Sequence, residues 1–234
     1  MAIKDIKFMN GEVYLLKDHS LSFEEYENQM RQIDYDRFYD KYRSCRDENG
    51  VEKTQFPSII FAFYNIIFTH RKVPRPVDLL DEYYNLNKAE LLIDGKTITY
   101  QNRQFKKMDL DARILRTYPS LIRDHHFFLM LSKEGCFDRV IYSCKSDIAG
   151  KDLVIQHKGK EYILSLFVKT NRSTFFKRIK NTFRHVYSNN EIPLPVDLNQ
   201  AKKIGDFSVY STKDVEYVKS VVFKKWKANL LHIQ

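Results

Sequence analysis

Two strand-like segments joined by a tight turn restrict the fold of the C-terminal half more than any other pattern in this sequence. The first segment covers residues 153–155, and the second covers residues 162–168. The turn between them, residues 157–160, contains Gly159. A glycine-containing turn between runs of β-branched and aromatic residues is typical of a β-hairpin. We therefore expect two adjacent antiparallel strands here.

A strongly basic segment follows the predicted hairpin. No Asp or Glu occurs between Tyr162 and Asn190, and residues 171–185 are predicted to form a helix. The basic side chains in and just before this segment are predicted to bind nucleic acid: Lys169, Arg172, Lys177, Arg178, Lys180 and Arg184. Such side chains neutralise phosphates, which gives a salt-sensitive and largely sequence-independent affinity. The alternative is a solvated basic helix face that has no ligand.

The charge and the cysteine content limit the class of protein. The net charge of +9 favours a polyanionic partner, with nucleic acid ahead of a membrane surface. The three cysteines form no CxxC pair, so the sequence predicts neither a disulfide framework nor a zinc site and indicates a reducing cytoplasm. No stretch reaches the roughly 18 apolar residues of a membrane span, and the N-terminus does not resemble a signal peptide. We expect a cytoplasmic protein without a membrane partner.

The N-terminal part, residues 1–105, is predicted to be a helical domain with small β-hairpins. Its hairpin turns are Asn10-Gly11 and Asp94-Gly95. Ser22 and Glu25 form a capping-box pattern at the start of a helix that extends to about Cys45. Two further helices are expected over residues 57–70 and 77–85. The Pro-containing turn between them allows a DNA-binding helix-turn-helix, but the acidic second helix favours a plain pair of helices.

The C-terminal part, residues 106–234, is predicted to be an α/β core with a mixed sheet. A helical region over residues 110–133 is expected to be interrupted at Pro119. The expected strands and the final helix follow in chain order: residues 139–142, the central hairpin, residues 192–196, residues 207–210 and a helix over residues 215–228. An α-rich N-terminal part followed by such a core gives an α+β, or mixed α/β, fold.

The order of elements around Asp152 resembles a known nuclease core. Asp152 opens the first strand of the hairpin, and the second strand precedes the basic segment. Over about residues 109–222 this arrangement is similar to PD-(D/E)xK, or restriction-endonuclease-like, domains. In that superfamily an Asp and a following (D/E)xK pair hold a divalent metal ion and activate water. Asp152 matches the first position.

The second part of that motif departs from the family pattern. Alternate residues of a strand share a face, so Ser165, Phe167 and Lys169 point together. If Lys169 is the motif lysine, Phe167 occupies the acidic position. If Ser165 occupies the acidic position, Phe167 replaces the lysine.

The resemblance implies a Mg²⁺ site with named residues. Asp152 is the first predicted metal ligand, and Asp124 on the preceding helix is the second. Asp152 and Lys169 are the predicted catalytic residues, with Lys169 stabilising charge on the attacked phosphate. Asp147 and Glu161 are additional candidate ligands. The alternative is that Asp152 only begins a strand and that Asp124 is an ordinary helix-surface aspartate.

Three functions are compatible with this sequence. The first is a metal-dependent DNA endonuclease, and the second is a DNA-binding module of the same fold that has lost the catalytic acid. The third is a phage or mobile-element adaptor or inhibitor whose basic face binds an acidic protein. Metal dependence separates the first from the second, and salt dependence separates both from a mostly apolar protein interface.

Overall fold

The computed structural model of this chain describes residues 6–9, 12–15, 21–45, 50–142, 146, 151–169 and 190–231. The chain divides into two compact units. The helical unit consists of residues 20–122 and 204–207, and the sheet unit consists of residues 1–19, 123–203 and 208–234. The predicted domains, residues 1–105 and 106–234, stay a prediction. Within the described part of the chain, no helix combines the length and the hydropathy that crossing a membrane requires.

The helical unit contains short helices and a small antiparallel sheet. Its helices are α1 (Phe23–Arg31), α2 (Tyr35–Asp40), α3 (Ile60–Asn65), α4 (Pro76–Leu86) and the first part of α5 (Lys107–Glu134). A single 3-10 turn covers Val51–Lys53, and a π-helical turn, Ile66–His70, continues α3. The strands β3 (Leu92–Asp94), β4 (Thr97–Tyr100) and β5 (Arg103–Lys106) form a sheet in that order.

The start of α1 confirms the predicted capping box, but the predicted helix to Cys45 is wrong. The Ser22 hydroxyl accepts a hydrogen bond from the Glu25 backbone N–H at 3.2 Å, and the Ser22 backbone N–H donates to the Glu25 carboxylate at 2.9 Å. The helix ends at Arg31, and α2 starts after Asp34, whose carboxylate accepts from the Arg37 backbone N–H. A second capping residue therefore divides the expected helix into two.

The predicted interruption at Pro119 is also wrong, because α5 is continuous through this proline. Proline has no backbone N–H, so it leaves the carbonyl four residues earlier, that of Leu115, without its helical donor. The Tyr35 hydroxyl donates to the Leu115 carbonyl oxygen at 2.9 Å. A distant side chain thus replaces the missing backbone hydrogen bond.

The sheet unit is built on one mixed sheet of four strands. In spatial order these are β6 (Arg139–Ile141), β7 (Leu153–His157), β8 (Lys160–Val168) and β9 (Glu191–Val196). Strand β7 is antiparallel to β6 and β8, whereas β8 and β9 are parallel. The remaining described elements are the antiparallel strands β1 (Ile6–Met9) and β2 (Glu12–Leu15), the pair β10 (Lys202–Ile204) and β11 (Phe207–Val209), whose residues 204–207 belong to the helical unit, and α6 (Thr212–Leu231). The predicted α+β fold with a mixed sheet is confirmed.

The central hairpin is formed as predicted. Leu153 pairs with Leu164 and His157 pairs with Lys160, which leaves a two-residue turn. Both turn residues have positive φ, +51° at Lys158 and +74° at Gly159. Positive φ at both positions is the geometry of a type I′ turn, which matches the twist of the two strands.

One face of the sheet is the core face of this unit. Its buried side chains come from alternate positions of three strands: Leu153, Ile155, Tyr162, Leu164, Leu166, Ile192, Leu194 and Val196. Pro193 and Pro195 of β9 are exposed and point the other way. Proline is tolerated there because β9 is the edge strand among the described strands, so no N–H is required on its outer side.

Candidate nucleic-acid interface

The strand directions bring the predicted site residues to one end of the sheet. Since β7 is antiparallel to β8, the start of β7 lies beside the end of β8, and the end of parallel β9 lies there too. Lys151 and Asp152 precede β7, Lys169 follows β8 and Asp197 follows β9. We call these four residues the strand-end cluster. The Lys169 backbone N–H donates to the carbonyl of Val196 at 2.8 Å, which holds the end of β8 against β9.

Asp152 has a structural partner in this cluster. Its Oδ2 accepts a hydrogen bond from the backbone N–H of Leu166 at 2.5 Å. This hydrogen bond ties the start of β7 to the C-terminal part of β8. One of the two Asp152 oxygens is therefore already engaged.

Asp124 is held by its neighbour on α5. The Arg123 Nε lies 3.2 Å from Asp124 Oδ1, and the two side chains are 6% and 17% exposed. Burial raises the pKa of Asp124, and the positive charge of Arg123 acts in the opposite direction. Asp124 is thus part of a largely buried ion pair and is not an ordinary helix-surface aspartate.

Tyr210 packs beside this ion pair at the centre of the sheet unit. Its hydroxyl donates to the Leu194 carbonyl at 3.1 Å, and its ring centroid lies 4.6 Å from that of Phe127. The Arg123 guanidinium lies 5.9 Å from the Tyr210 ring centroid. These contacts connect α5 to strand β9 through one tyrosine.

The pKa of Tyr210 is affected by both predicted metal ligands, Asp124 and Asp152. Burial raises the pKa of Tyr210 well above its usual value, and the negative charges of Asp124, Asp152 and Asp214 raise it further, while Arg123 opposes them. Both Asp124 and Asp152 therefore lie within electrostatic range of the same buried hydroxyl.

The described donors do not complete a magnesium centre. Ser165 is buried in β8 and Phe167 is partly exposed, and neither side chain supplies a carboxylate. Glu161 lies at the other end of β8, where it accepts a hydrogen bond from Gln156 at 2.9 Å. Among the residues that the structure describes, no three His, Cys, Asp or Glu side chains are grouped as metal ligands. The Mg²⁺ site stays a prediction, and Asp147 lies outside the described residues.

The predicted basic helix cannot be placed. Arg172, Lys177, Arg178, Lys180 and Arg184 lie outside the described residues. Lys169, the remaining member of that predicted set, is exposed at the end of β8. Sequence reasoning missed Lys151, although it directly precedes Asp152. The signal in the sequence is its positive charge directly beside the predicted ligand Asp152.

Positive charge is concentrated in the sheet unit. By sequence, this unit carries 23 Lys and Arg residues and 13 Asp and Glu residues, whereas the helical unit carries 16 and 17. Several lysines of the sheet unit form no salt bridge with any described residue: Lys151, Lys158, Lys160, Lys169, Lys203, Lys213, Lys224 and Lys227. In the helical unit, ion pairs such as Arg31–Glu27 at 3.0 Å and Arg75–Asp78 at 2.8 Å neutralise charge locally.

Comparison with models of protein families, with curated proteins and with solved structures found no match to this chain.

Proposed function

We propose that this protein binds DNA through the sheet unit. The observation that carries the proposal is the pair of exposed lysines in the strand-end cluster, Lys151 and Lys169. Neither forms a salt bridge with a described residue. An unpaired exposed lysine is free to neutralise a phosphate and to release its condensed counterions, and this release drives much of protein–DNA affinity.

The distribution of charge supports the same surface. The excess of Lys and Arg belongs to the sheet unit, and the helical unit is close to neutral. The segment that follows Lys169, residues 170–189, adds further Lys and Arg without any acidic residue. A net positive charge of this size attracts a polyanion over distances set by the ionic strength.

The salt dependence of duplex binding tests this proposal. We expect the double variant Lys151→Ala/Lys169→Ala to bind a labelled duplex more weakly. The slope of log K against log salt should fall by about 2, since each lost phosphate contact removes about 0.9. The matched control is Lys88→Ala/Lys96→Ala, which removes two exposed lysines of the helical unit. Fluorescence anisotropy at several salt concentrations measures the duplex affinity of both double variants. Equal slopes for the two double variants would overturn the assignment to the strand-end cluster.

Metal-dependent DNA cleavage is the second candidate function. The observation in its favour is that Asp152, which accepts from the Leu166 N–H of β8, and Lys169, which directly follows β8, lie at the same end of the sheet. Supercoiled plasmid is incubated with and without Mg²⁺ or Mn²⁺, and Asp152→Asn is the informative variant. Asparagine keeps an oxygen that accepts from the Leu166 N–H and removes only the charge, so the fold is retained. Metal-dependent nicking that Asp152→Asn abolishes supports the endonuclease, and plasmid that is retarded but uncut supports a binding module.

A protein partner is the outcome that remains if DNA is not bound. An adaptor or inhibitor that meets an acidic protein would show no retardation of duplex DNA at low salt. A cytoplasmic location belongs to the same proposal and rests on the odd number of cysteines and the absence of a CxxC pair.

A further inference from the structure

Helix α6 has one buried side and one exposed side. The buried side carries three valines: Val215, Val218 and Val222. The exposed side includes Glu216 and Ser220 together with four residues that are four, seven and three positions apart: Lys213, Tyr217, Lys224 and Lys227. Residues at these spacings lie on one face of a helix. We call these four residues the α6 face.

Tyr217 is the unusual member of this face. Its side chain is 48% exposed, more than any other aromatic residue that the structure describes. Most of the tyrosines in this chain lie in the core, where their rings contribute to stability. An exposed ring that makes no ring contact with a described residue is available for stacking.

The α6 face is positively charged without internal compensation. Lys213, Lys224 and Lys227 form no salt bridge with a described residue. The acidic residue at its margin, Glu216, already accepts from Lys219 at 2.7 Å. A ligand of this face therefore needs negative charge and an aromatic plane.

We propose that the α6 face binds single-stranded DNA, with a base stacked on Tyr217 and phosphates held by Lys213, Lys224 and Lys227. In a duplex the base faces are already stacked on one another, so an exposed tyrosine on a helix gains a partner only from an unpaired strand. The three lysines extend over about 21 Å of helix, enough for a short run of nucleotides. This inference rests on the proposed DNA binding. It adds that the α6 face binds the single-stranded form of DNA.

Truncation of the tyrosine ring tests the stacking. Labelled oligothymidylate and a duplex, each about 20 nucleotides long, are titrated by anisotropy at about 50 mM NaCl. We expect Tyr217→Ala to weaken binding of the single strand by about 5- to 150-fold, because stacking on an aromatic ring contributes this much per base. Duplex binding should change by less than about two-fold, and Tyr217→Phe, which keeps the ring, should bind the single strand like the wild type.

A matched control and an abasic strand separate stacking from charge. Phe61→Ala removes the 40% exposed phenylalanine of the helical unit and should leave both affinities unchanged. An abasic strand of equal length should bind wild type and Tyr217→Ala equally, since it offers phosphates without bases. Circular dichroism confirms that each variant is folded.

The outcomes distinguish this inference from the proposed function. Duplex binding that depends on Lys151 and Lys169, together with no effect of Tyr217→Ala on the single strand, overturns the α6 face and leaves the proposed function. Absence of binding to either DNA overturns both. Tighter binding of oligouridylate than of oligothymidylate, with the same dependence on Tyr217, overturns DNA as the occupant and assigns RNA instead.

Discussion

At two places a single side chain forms a hydrogen bond with a backbone group that has no backbone partner there. Pro119 removes a helical donor from the middle of α5, and Tyr35 supplies the missing donor to the Leu115 carbonyl. In the same way, the Asp152 carboxylate accepts a hydrogen bond from the Leu166 backbone N–H. Each of these hydrogen bonds joins residues far apart in the chain, and an unpaired buried carbonyl or N–H would cost about 1–3 kcal/mol.

Removal of the Tyr35 hydroxyl should reveal this compensation. We expect Tyr35→Phe to lower the free energy of unfolding by about 1–2 kcal/mol, since it leaves the Leu115 carbonyl without a donor. In a Pro119→Ala background the helix regains its own N–H, so the same substitution should cost about 1 kcal/mol less. Urea unfolding of the four proteins gives the coupling energy. Additive effects would mean that Tyr35 does not compensate for Pro119, and Tyr217→Phe serves as the exposed control.

The negative charge of Asp78, at the start of α4, is neutralised by two neighbouring basic side chains. Its carboxylate accepts from the Arg75 backbone N–H at 3.1 Å, the Arg75 Nη2 at 2.8 Å and the Lys72 Nζ at 3.2 Å. Hydrogen bonds from Arg75, assisted by Lys72 and opposed by burial, lower the pKa of Asp78 to about 2. The Asp78 side chain is 15% exposed, but Arg75 and Lys72 are 67% and 45% exposed, so solvent screens part of this attraction.

This lowered pKa predicts a specific pH dependence of stability. A carboxylate whose pKa is lower in the folded chain stabilises the fold above its unfolded pKa, and this contribution is lost as the pH falls through the folded pKa. Asp78→Asn should therefore cost about 1 kcal/mol at neutral pH after allowance for solvent screening, and the difference from wild type should shrink as the pH falls from about 4 to about 2. Urea unfolding across that range measures it. A difference that stays constant with pH would contradict the assignment.

At the level of the elements, two hairpin turns require glycine: both for its positive φ, and one also because no space is left for a Cβ. Gly205 joins β10 to β11 with a φ of +55°, and Gly95 joins β3 to β4 with a φ of +57°. A Cβ on Gly205 would lie 3.2 Å from the Met30 carbonyl oxygen and 3.4 Å from the Arg31 Cα, whereas a Cβ on Gly95 would meet nothing within 4 Å. The two turns have the same backbone conformation and different surroundings.

This pair of glycines separates backbone strain from packing. Gly95→Ala should lower the free energy of unfolding by about 1 kcal/mol, the cost of placing alanine in the left-handed region. Gly205→Ala should cost about 1 kcal/mol more, because backbone atoms of α1 must also move. Thermal unfolding of both variants compares the two costs. Equal losses of stability would show that the contact with Met30 is relieved without cost.

At the scale of the whole molecule, the net positive charge belongs to the sheet unit, and the helical unit is close to neutral. The sheet unit has 23 Lys and Arg against 13 Asp and Glu, so its net charge is repulsive until a polyanion binds. A ligand that binds only the folded chain stabilises it by an amount that grows with the ratio of its concentration to Kd.

Duplex DNA should therefore raise the unfolding temperature. At a duplex concentration of about 100 times Kd, the expected stabilisation is about 2.7 kcal/mol, or roughly 5–10 °C for a chain of this size. The shift should disappear at about 0.5 M NaCl, because screening and counterion competition remove the phosphate contacts. Differential scanning calorimetry measures it. A shift that persists at high salt would indicate an interface that is not electrostatic.

Short-range patterns in the sequence identified the hairpin at Lys158-Gly159, the capping box at Ser22 and the α+β class correctly. Each of these depends on residues within a few positions of one another, where backbone preferences and alternation act directly. The continuity of α5 through Pro119, the hydrogen bond that Asp152 accepts and the exposure of Tyr217 depend on distant groups. They could not be read from the sequence, because a hydrogen bond or a buried contact between remote residues exists only after the chain has folded and brought both partners to the same place.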